Sequence, residues 1–386
     1  MKNNKLFVLL FICFMACLLN AQNTYLPHDA FEQAIIDIGQ DTAPRDNLVP
    51  TANIESITFL NISHKSIANL TGIEDFKALK YLDCYGNNLT ALDVSSNTAL
   101  RRLLCYDNNL ENLNVSSNSS LVRLECYNNS LTVLDLSFNT NLRTLDVKSN
   151  NLDALDLSLN TKLERLNCRN NNLDILNLSS NPLLYFLYCD GNNLESLDLS
   201  SNTNLRFLYC RKMNLKGLDL SNNSILKNLY CSSNNLTTLD LSSNKFLKNL
   251  NCSDNNLSSL NVKNGNNSNM ESFNSKGNLA LECIEVDSEA YSNANWRNKD
   301  ITSSYSIDCH YNETYVPDDA FEQALIDLGL DTVLDDYVQT ENINSITSLD
   351  VSSKGIEDLT GIEDFKAITT LTCFDNNLSA LDVSAN

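Results

Sequence analysis

The chain of 386 residues is short of the residues that usually make turns and catalysis. It holds 10 glycines and 5 prolines, so something else must do the turning. Only three histidines occur, His28, His64 and His310. None stands in a motif with a second ligand or a nucleophile, which argues against zinc sites and histidine general bases. No G-x-G-x-x-G, phosphate-loop, H-E-x-x-H or G-x-S-x-G motif is present. Positive charge is scarce: 27 Lys and Arg face 48 Asp and Glu, a formal charge of -21. That balance disfavours nucleic acid and anionic membranes, which select basic surfaces, and suits solubility outside the cell. Beyond the N-terminus no apolar run approaches the ~18 residues of a membrane span. The expectation is a protein with no cofactor, no metal site, no transmembrane segment in the mature chain and no catalysis of its own.

What is present begins with "MKNNK", a basic start, followed by the short apolar run "LFVLLFICFMACLL" and "LNA" before Gln22. This reads as a signal peptide over residues 1–21, cleaved after Ala21, and predicts a secreted or cell-surface protein. Lipoprotein processing at Cys17 is the competing reading, although Phe14 and Met15 make a poor lipobox.

From Leu79 the chain reads L-x-x-L-x-C-x-x-N-x-L-x-x-L-D-[LV]-S-x-N and starts again. The segments "LDC" at 82, "LLC" at 103, "LEC" at 124, "LDV" at 145, "LNC" at 166, "LYC" at 187, 208 and 229, and "LNC" at 250 follow at a step of 21. "FNS" at 273 is a last weak rung after an insertion. Residues two apart in a strand point the same way, so Leu82 and Cys84 face inward together. Asn87 follows at the bend, where its side chain can bond backbone groups left unpaired. In "LDVSSN", Leu92 and Val94 point in and Asp93 points out. One such coil cannot bury its apolar face alone; stacked coils can.

This pattern resembles the bacterial, internalin-like leucine-rich repeat, with cysteine in the third leucine slot and a unit of 21 residues rather than 22. The fold class expected is a leucine-rich-repeat solenoid of the α/β horseshoe type, mostly parallel strands and turns. The resemblance implies recognition or adhesion on a concave sheet, but it concerns fold more than partner.

The repeated cysteines have four readings: disulfides, metal, redox chemistry or packing. The column runs Cys84, Cys105, Cys126, Val147, Cys168, Cys189, Cys210, Cys231, Cys252. Val147 shows that the slot accepts a hydrocarbon, and runs of three and of five leave a thiol over. Strand neighbours hold Cβ atoms near ~4.8 Å, wider than the ~3.8 Å of a relaxed disulfide. Packing is therefore expected. Cys283 and Cys309 break the period and are expected to form a bridge in a C-terminal cap, with Trp296 packed inside it.

An N-terminal cap is expected at "LPHDAFEQAIIDIG". Asp29 and Glu32 have capping-box spacing, Phe31, Ile35 and Ile36 share a helix face, and Gly39 can end the helix. Residues 315–386 repeat this: "YVPDDAFEQALIDLGLDT" matches "YLPHDAFEQAIIDIGQDT". The expected division is a helical cap at 22–59, the repeat array at 60–277, a non-repeat cap at 278–311, and a second cap with the start of a second, truncated array at 312–386.

Outward positions of the strands define candidate ligand-binding residues. One cluster combines Tyr85, Tyr106 and Tyr127 with Arg102 and Arg123. The other combines Phe186, Tyr188, Phe207, Tyr209 and Tyr230 with Arg211. Tyr, Phe and Arg carry binding energy at protein interfaces, and aromatic rows suit sugar rings. Equally, aromatics suit strands and stack for stability alone. Asp93, Asp135, Asp156, Asp198, Asp219 and Asp240 form an acidic ladder, read as turn caps ahead of calcium ligands. The leading expectation is an exported recognition or adhesion protein that binds a protein or glycan on its concave face. The alternatives are a structural, self-associating envelope protein, or the binding region of an enzyme whose catalytic domain lies beyond residue 386.

Overall fold

A computed structural model describes residues 22–310 and 313–386. The expected signal peptide, residues 1–21, lies outside the described residues. The chain forms two compact units, one reaching Ile307 and the other running Asp308–Asn386.

The first unit opens with a small cap. Strands β1 (Asn23–Tyr25) and β2 (Leu48–Pro50) pair antiparallel, with helix α1 (Asp29–Asp37) between them and the single turn α2 (Thr51–Ile54) after them. Phe31 and Ile35 are buried as expected, whereas Ile36 is only half-buried. Gly39 ends α1 at a φ of +78°, donating to the Ile36 carbonyl. That left-handed turn is open to glycine without strain. The capping box is not formed. α1 begins one residue earlier than the spacing implies, with His28 at the N-cap and no side-chain cap. Glu32 is instead fully buried, and its Oε1 accepts the Asp46 and Asn47 amides, both at 2.7 Å. Burial of its neighbours turned that carboxylate inward, away from the helix start.

The coils then stack. Strands β3 (Phe59–Asn61), β4 (Tyr81–Asp83), β5 (Arg102–Leu104), β6 (Arg123–Glu125), β7 (Thr144–Asp146), β8 (Arg165–Asn167), β9 (Phe186–Tyr188), β10 (Phe207–Tyr209) and β11 (Asn228–Tyr230) lie parallel and in register. β13 (Asn249–Asn251) and β15 (Ser272–Asn274) complete this sheet of 11 strands. β12 (Thr238–Asp240), β14 (Ser259–Asn261), β16 (Cys283–Glu285) and β17 (Ser304–Ser306) form a second parallel sheet of four from the later half of each coil. From β3 to β13 the register aligns leucine on leucine, for example Leu208 between Leu187 and Leu229, and Phe273 takes the slot in β15.

Beneath the long sheet, all eight ladder cysteines from Cys84 to Cys252 are free and fully buried, and Val147 fills its slot in the same way. Burial pushes the Cys84, Cys168 and Cys252 thiols up to about 12. A thiolate would be an unpaired buried charge there, so these groups behave as small hydrophobes.

Two asparagine ladders replace the missing glycine and proline. Asn87 Nδ2 donates to the Ile62 and Cys84 carbonyls at 2.9 Å, while its Oδ1 accepts from Lys65 and Ile67 at 3.0 Å. Asn108, Asn150, Asn171, Asn192, Asn234 and Asn255 repeat its bond to the carbonyl three residues back. The second ladder, Asn97 to Asn244, is fully buried. Asn97 Nδ2 donates to the Phe76 carbonyl, and from Asn118 onward each Nδ2 donates to the carbonyl of the asparagine one coil earlier, as Asn181 does to Asn160 at 3.0 Å. Two residues after each cysteine slot the backbone is left-handed, at Gly86, Asp107, Asn128, Ser149, Asn170, Gly191, Lys212, Ser233 and Asp254. Asn and Asp tolerate that region, which is why few glycines suffice. Gly86 is a real requirement: a Cβ there would meet His64 Nδ1 at 2.3 Å.

The stretch expected to be a non-repeat cap from residue 278 begins instead with another turn of the coil. Leu281, Ile284 and Val286 are fully buried in the same core, and β16 extends the second sheet. Its leucine pattern was hidden because the first half of that coil carries Phe273 and the insertion. The closing element follows: helix α3 (Glu289–Asn295) is capped by Ser288 and delivers Trp296 onto Phe273, with ring centroids 4.5 Å apart. Cys283 and Cys309 are both disulfide-bonded.

The second unit repeats the cap. β18 (Glu313–Tyr315) pairs antiparallel with β19 (Tyr337–Gln339) around helix α4 (Asp319–Asp327), followed by α5 (Thr340–Ile343). β20 (Ser348–Asp350) then pairs parallel with β21 (Thr370–Thr372). Here the N-cap is Asp318, which accepts the Ala320 and Phe321 amides at 2.9 Å.

Candidate functional site

Strands β4 to β11 turn alternate side chains out of the long sheet, and the 21-residue step stacks them in columns. Strand neighbours are ~4.8 Å apart, close to the spacing of stacked rings. Identical side chains in register therefore stack. Tyr85, Tyr106 and Tyr127 do so, with centroids 4.3 and 4.2 Å apart and planes within 11°. Burial in the stack, and the phenols on either side, hold the Tyr106 proton well above its ordinary range. Each ring face between them is occupied by the next ring.

Arg102 and Arg123 were expected to join this stack. Their contacts run to carboxylates. Arg102 forks onto Asp83, with Nη2 2.6 Å from Oδ2, and lies over the rings of Phe59 and Tyr81. Arg123 pairs with Glu125 at 2.5 Å.

The second cluster is mixed. Tyr209 and Tyr230 stack at 4.5 Å, but Tyr188 stands edge-on to Tyr209 at 4.2 Å. Phe186 lies edge-on to Tyr188 and 5.4 Å from Phe207. Cations fill the gaps. Arg169 sits 3.7 Å above the Tyr188 ring and 5.2 Å from that of Tyr209. Arg165 sits 4.6 Å above Phe186, and Arg211 5.8 Å from Tyr209. Asp190, only 7% exposed, is hydrogen-bonded to Arg211, with Nη2 3.1 Å from Oδ2, and forms an ion pair with Arg169, whose Nε lies 2.7 Å from the same oxygen. It also accepts the Arg211 amide at 2.7 Å. These bonds hold the Arg211 proton more tightly than usual. A fixed guanidinium over a ring is attracted by the ring quadrupole and held still for a partner.

Between the clusters lies a recess of about 660 Å³, lined by Glu125, Asp146, Glu164, Arg165, Phe186 and Tyr188 among others. Burial raises the carboxyl of Asp146 above its ordinary value. The recess offers acids, a cation and ring faces side by side.

Phe186, Tyr188, Phe207, Tyr209, Arg211 and Tyr230 are thus brought together, and so are the three tyrosines of the first cluster. Arg165, Arg169 and Asp190 were missed. The signal existed: Arg169, Asp190 and Arg211 occupy one outward column at successive steps, a cation–anion–cation run. The acidic ladder behaves as turn caps. Asp93, Asp135, Asp156, Asp198, Asp219 and Asp240 each accept the amide of the serine two residues on at 2.9 Å.

No profile of a known protein family matches the chain. A stretch of 72 residues is 35% identical to Internalin J of Listeria monocytogenes serotype 4b (strain F2365), covering 19% of this chain and 8% of that protein. The solved functional domain of InlJ from Listeria monocytogenes, which includes a cysteine ladder, superposes with a TM-score of 0.57 at 26% identity. That match covers 95% of this chain and 74% of the other. The chain is an internalin-like leucine-rich-repeat protein. That InlJ domain includes a cysteine ladder, and this chain carries a column of buried free thiols. An internalin-like fold supports protein binding or adhesion in general. Among the described residues no helix is long and apolar enough to cross a membrane.

Proposed function

We propose that this internalin-like protein is exported by its N-terminal segment and binds a protein or glycan partner on the outward face of the long sheet. The site centres on Phe186, Tyr188, Phe207, Tyr209, Tyr230, Arg169 and Arg211, beside the Asp146 recess. The observation that carries this reading is Asp190, buried between two arginines and holding both guanidiniums against tyrosine faces. Preorganised Arg and Tyr are the groups that dominate interface energetics. The Tyr85, Tyr106 and Tyr127 stack is a secondary contact in this reading, because its ring faces are already taken. The division at 22–59, 60–277, 278–311 and 312–386 belongs to the same proposal, with the array extended through Val286.

The test is a protein and glycan array probed with the wild type and two triple variants. Alanine at Tyr188, Tyr209 and Tyr230 is expected to abolish the signal, and alanine at Tyr85, Tyr106 and Tyr127 to preserve most of it. Equal signal from the wild type and the first variant would remove the site.

A further inference from the structure

The two caps share a fold but differ in charge at one place. In the second unit Glu322 is fully buried on α4. Its Oε1 accepts the Asp335 amide at 2.7 Å and the Tyr337 amide at 3.3 Å, while Oε2 is buried with no partner. Asp319, on the same helix, and Asp336, on the loop entering β19, converge on it. One carboxylate oxygen from each of the three lies within 4.8 Å of the other two. Among the described residues no Lys or Arg is paired with any of them. An uncompensated carboxylate in such a place is costly, and a cation is the usual remedy.

The first cap shows what compensation looks like. Glu32 matches Glu322, with the same buried Oε2 and likewise two loop amides on Oε1, those of Asp46 and Asn47. Where the second cap has Asp336, the first has Asn47, and both are left-handed, at φ 68° and 64°. Arg45 then reaches Asp29, the counterpart of Asp319, at 3.3 Å. One cap has two carboxylates and a guanidinium; the other has three carboxylates and no side-chain cation.

We propose that Asp319, Glu322 and Asp336 bind one Ca²⁺. The donors are all oxygen, which disfavours zinc and the softer metals. Calcium takes ligands at ~2.3–2.6 Å, so oxygens on one ion are up to ~5 Å apart, matching the cluster. Asp319 and Asp336 are exposed, leaving room for water to complete a flexible shell, which suits Ca²⁺ better than the strict octahedron of Mg²⁺. The ion satisfies the Glu322 oxygen and ties α4 to the loop before β19.

The test is calorimetric titration of the chelator-stripped full chain with Ca²⁺ alone, beside Asp336→Asn, Glu322→Gln and Asp29→Asn. Wild type is expected to bind one ion with Kd around ~10⁻⁴–10⁻³ M, the range of extracellular modules. Asp336→Asn installs the residue the first cap folds with, and should weaken binding at least ~10-fold, as should Glu322→Gln. Asp29→Asn should bind as wild type. Limited proteolysis of residues 308–386 should slow with Ca²⁺ in the wild type and not in Asp336→Asn. No binding up to about 10 mM Ca²⁺ would overturn the site, and so would undiminished affinity in Asp336→Asn.

Discussion

The tyrosine stack at Tyr85, Tyr106 and Tyr127 and the mixed cluster around Tyr188 and Tyr209 stand on the same sheet, over the same thiol column. In the first, identical residues in register satisfy one another face to face. In the second, a break in identity frees ring faces, and Arg169, Arg165 and Arg211 occupy some of them. A solenoid repeat sets positions, and the departures from the repeat set chemistry. In the proposed function the regular region stabilises and the irregular one recognises.

The largest expected effect tests what both regions stand on. The ladder thiols hold their protons in the folded state far above their ordinary range. Between the unfolded and folded values the native chain therefore binds more protons than the unfolded one, and stability falls as pH rises. The loss begins as pH rises through the ordinary thiol range and, for Cys84, Cys168 and Cys252, runs to about 12, at up to ~1.4 kcal/mol per pH unit for each thiol. Denaturant titrations at pH 7, 9 and 10.5 should show this decline. A flat profile would mean that the thiols ionise in place.

Next comes the wiring of the mixed cluster. Asp190→Ala leaves two guanidiniums without their carboxylate, and should cost about 2–3 kcal/mol after allowance for their partial exposure. Asp83→Ala frees only Arg102 and should cost about 1–2 kcal/mol. Chemical denaturation ranks them, and the reverse order would undo the distinction between the regions. Smaller still are pairwise couplings. A double-mutant cycle on Arg169 and Tyr188 should return about 1–2 kcal/mol, against about 0.5–1 kcal/mol for Tyr85 and Tyr106.

Much of this was legible in the residue order because a fixed period turns each position into a column. Cys84 to Cys252 could be placed inside because Val147 shares their slot, and Asn87 at the bend because its amide suits unpaired carbonyls. The β1–β2 pairing of the cap was not legible, since three-residue strands carry no alternation to detect. Glu32 was misjudged because spacing alone cannot tell a capping glutamate from one drawn inward by Phe31 and Ile35. The coil at 281–286 was hidden by the insertion that precedes it. Arg169 and Asp190 were overlooked because residues were grouped by type, whereas ion pairing runs down a column.

The central claim is that the thiols of Cys126 and Cys189 lie in a dry column, so that the aromatic and arginine columns beside them face outward. Alkylation of the native chain, read cysteine by cysteine by mass spectrometry, tests it directly. The account predicts that Cys126 and Cys189 stay unmodified while the half-buried Cys373 reacts, and that all three react in denaturant. Labelling of native Cys126 or Cys189 at the rate of Cys373 would contradict it.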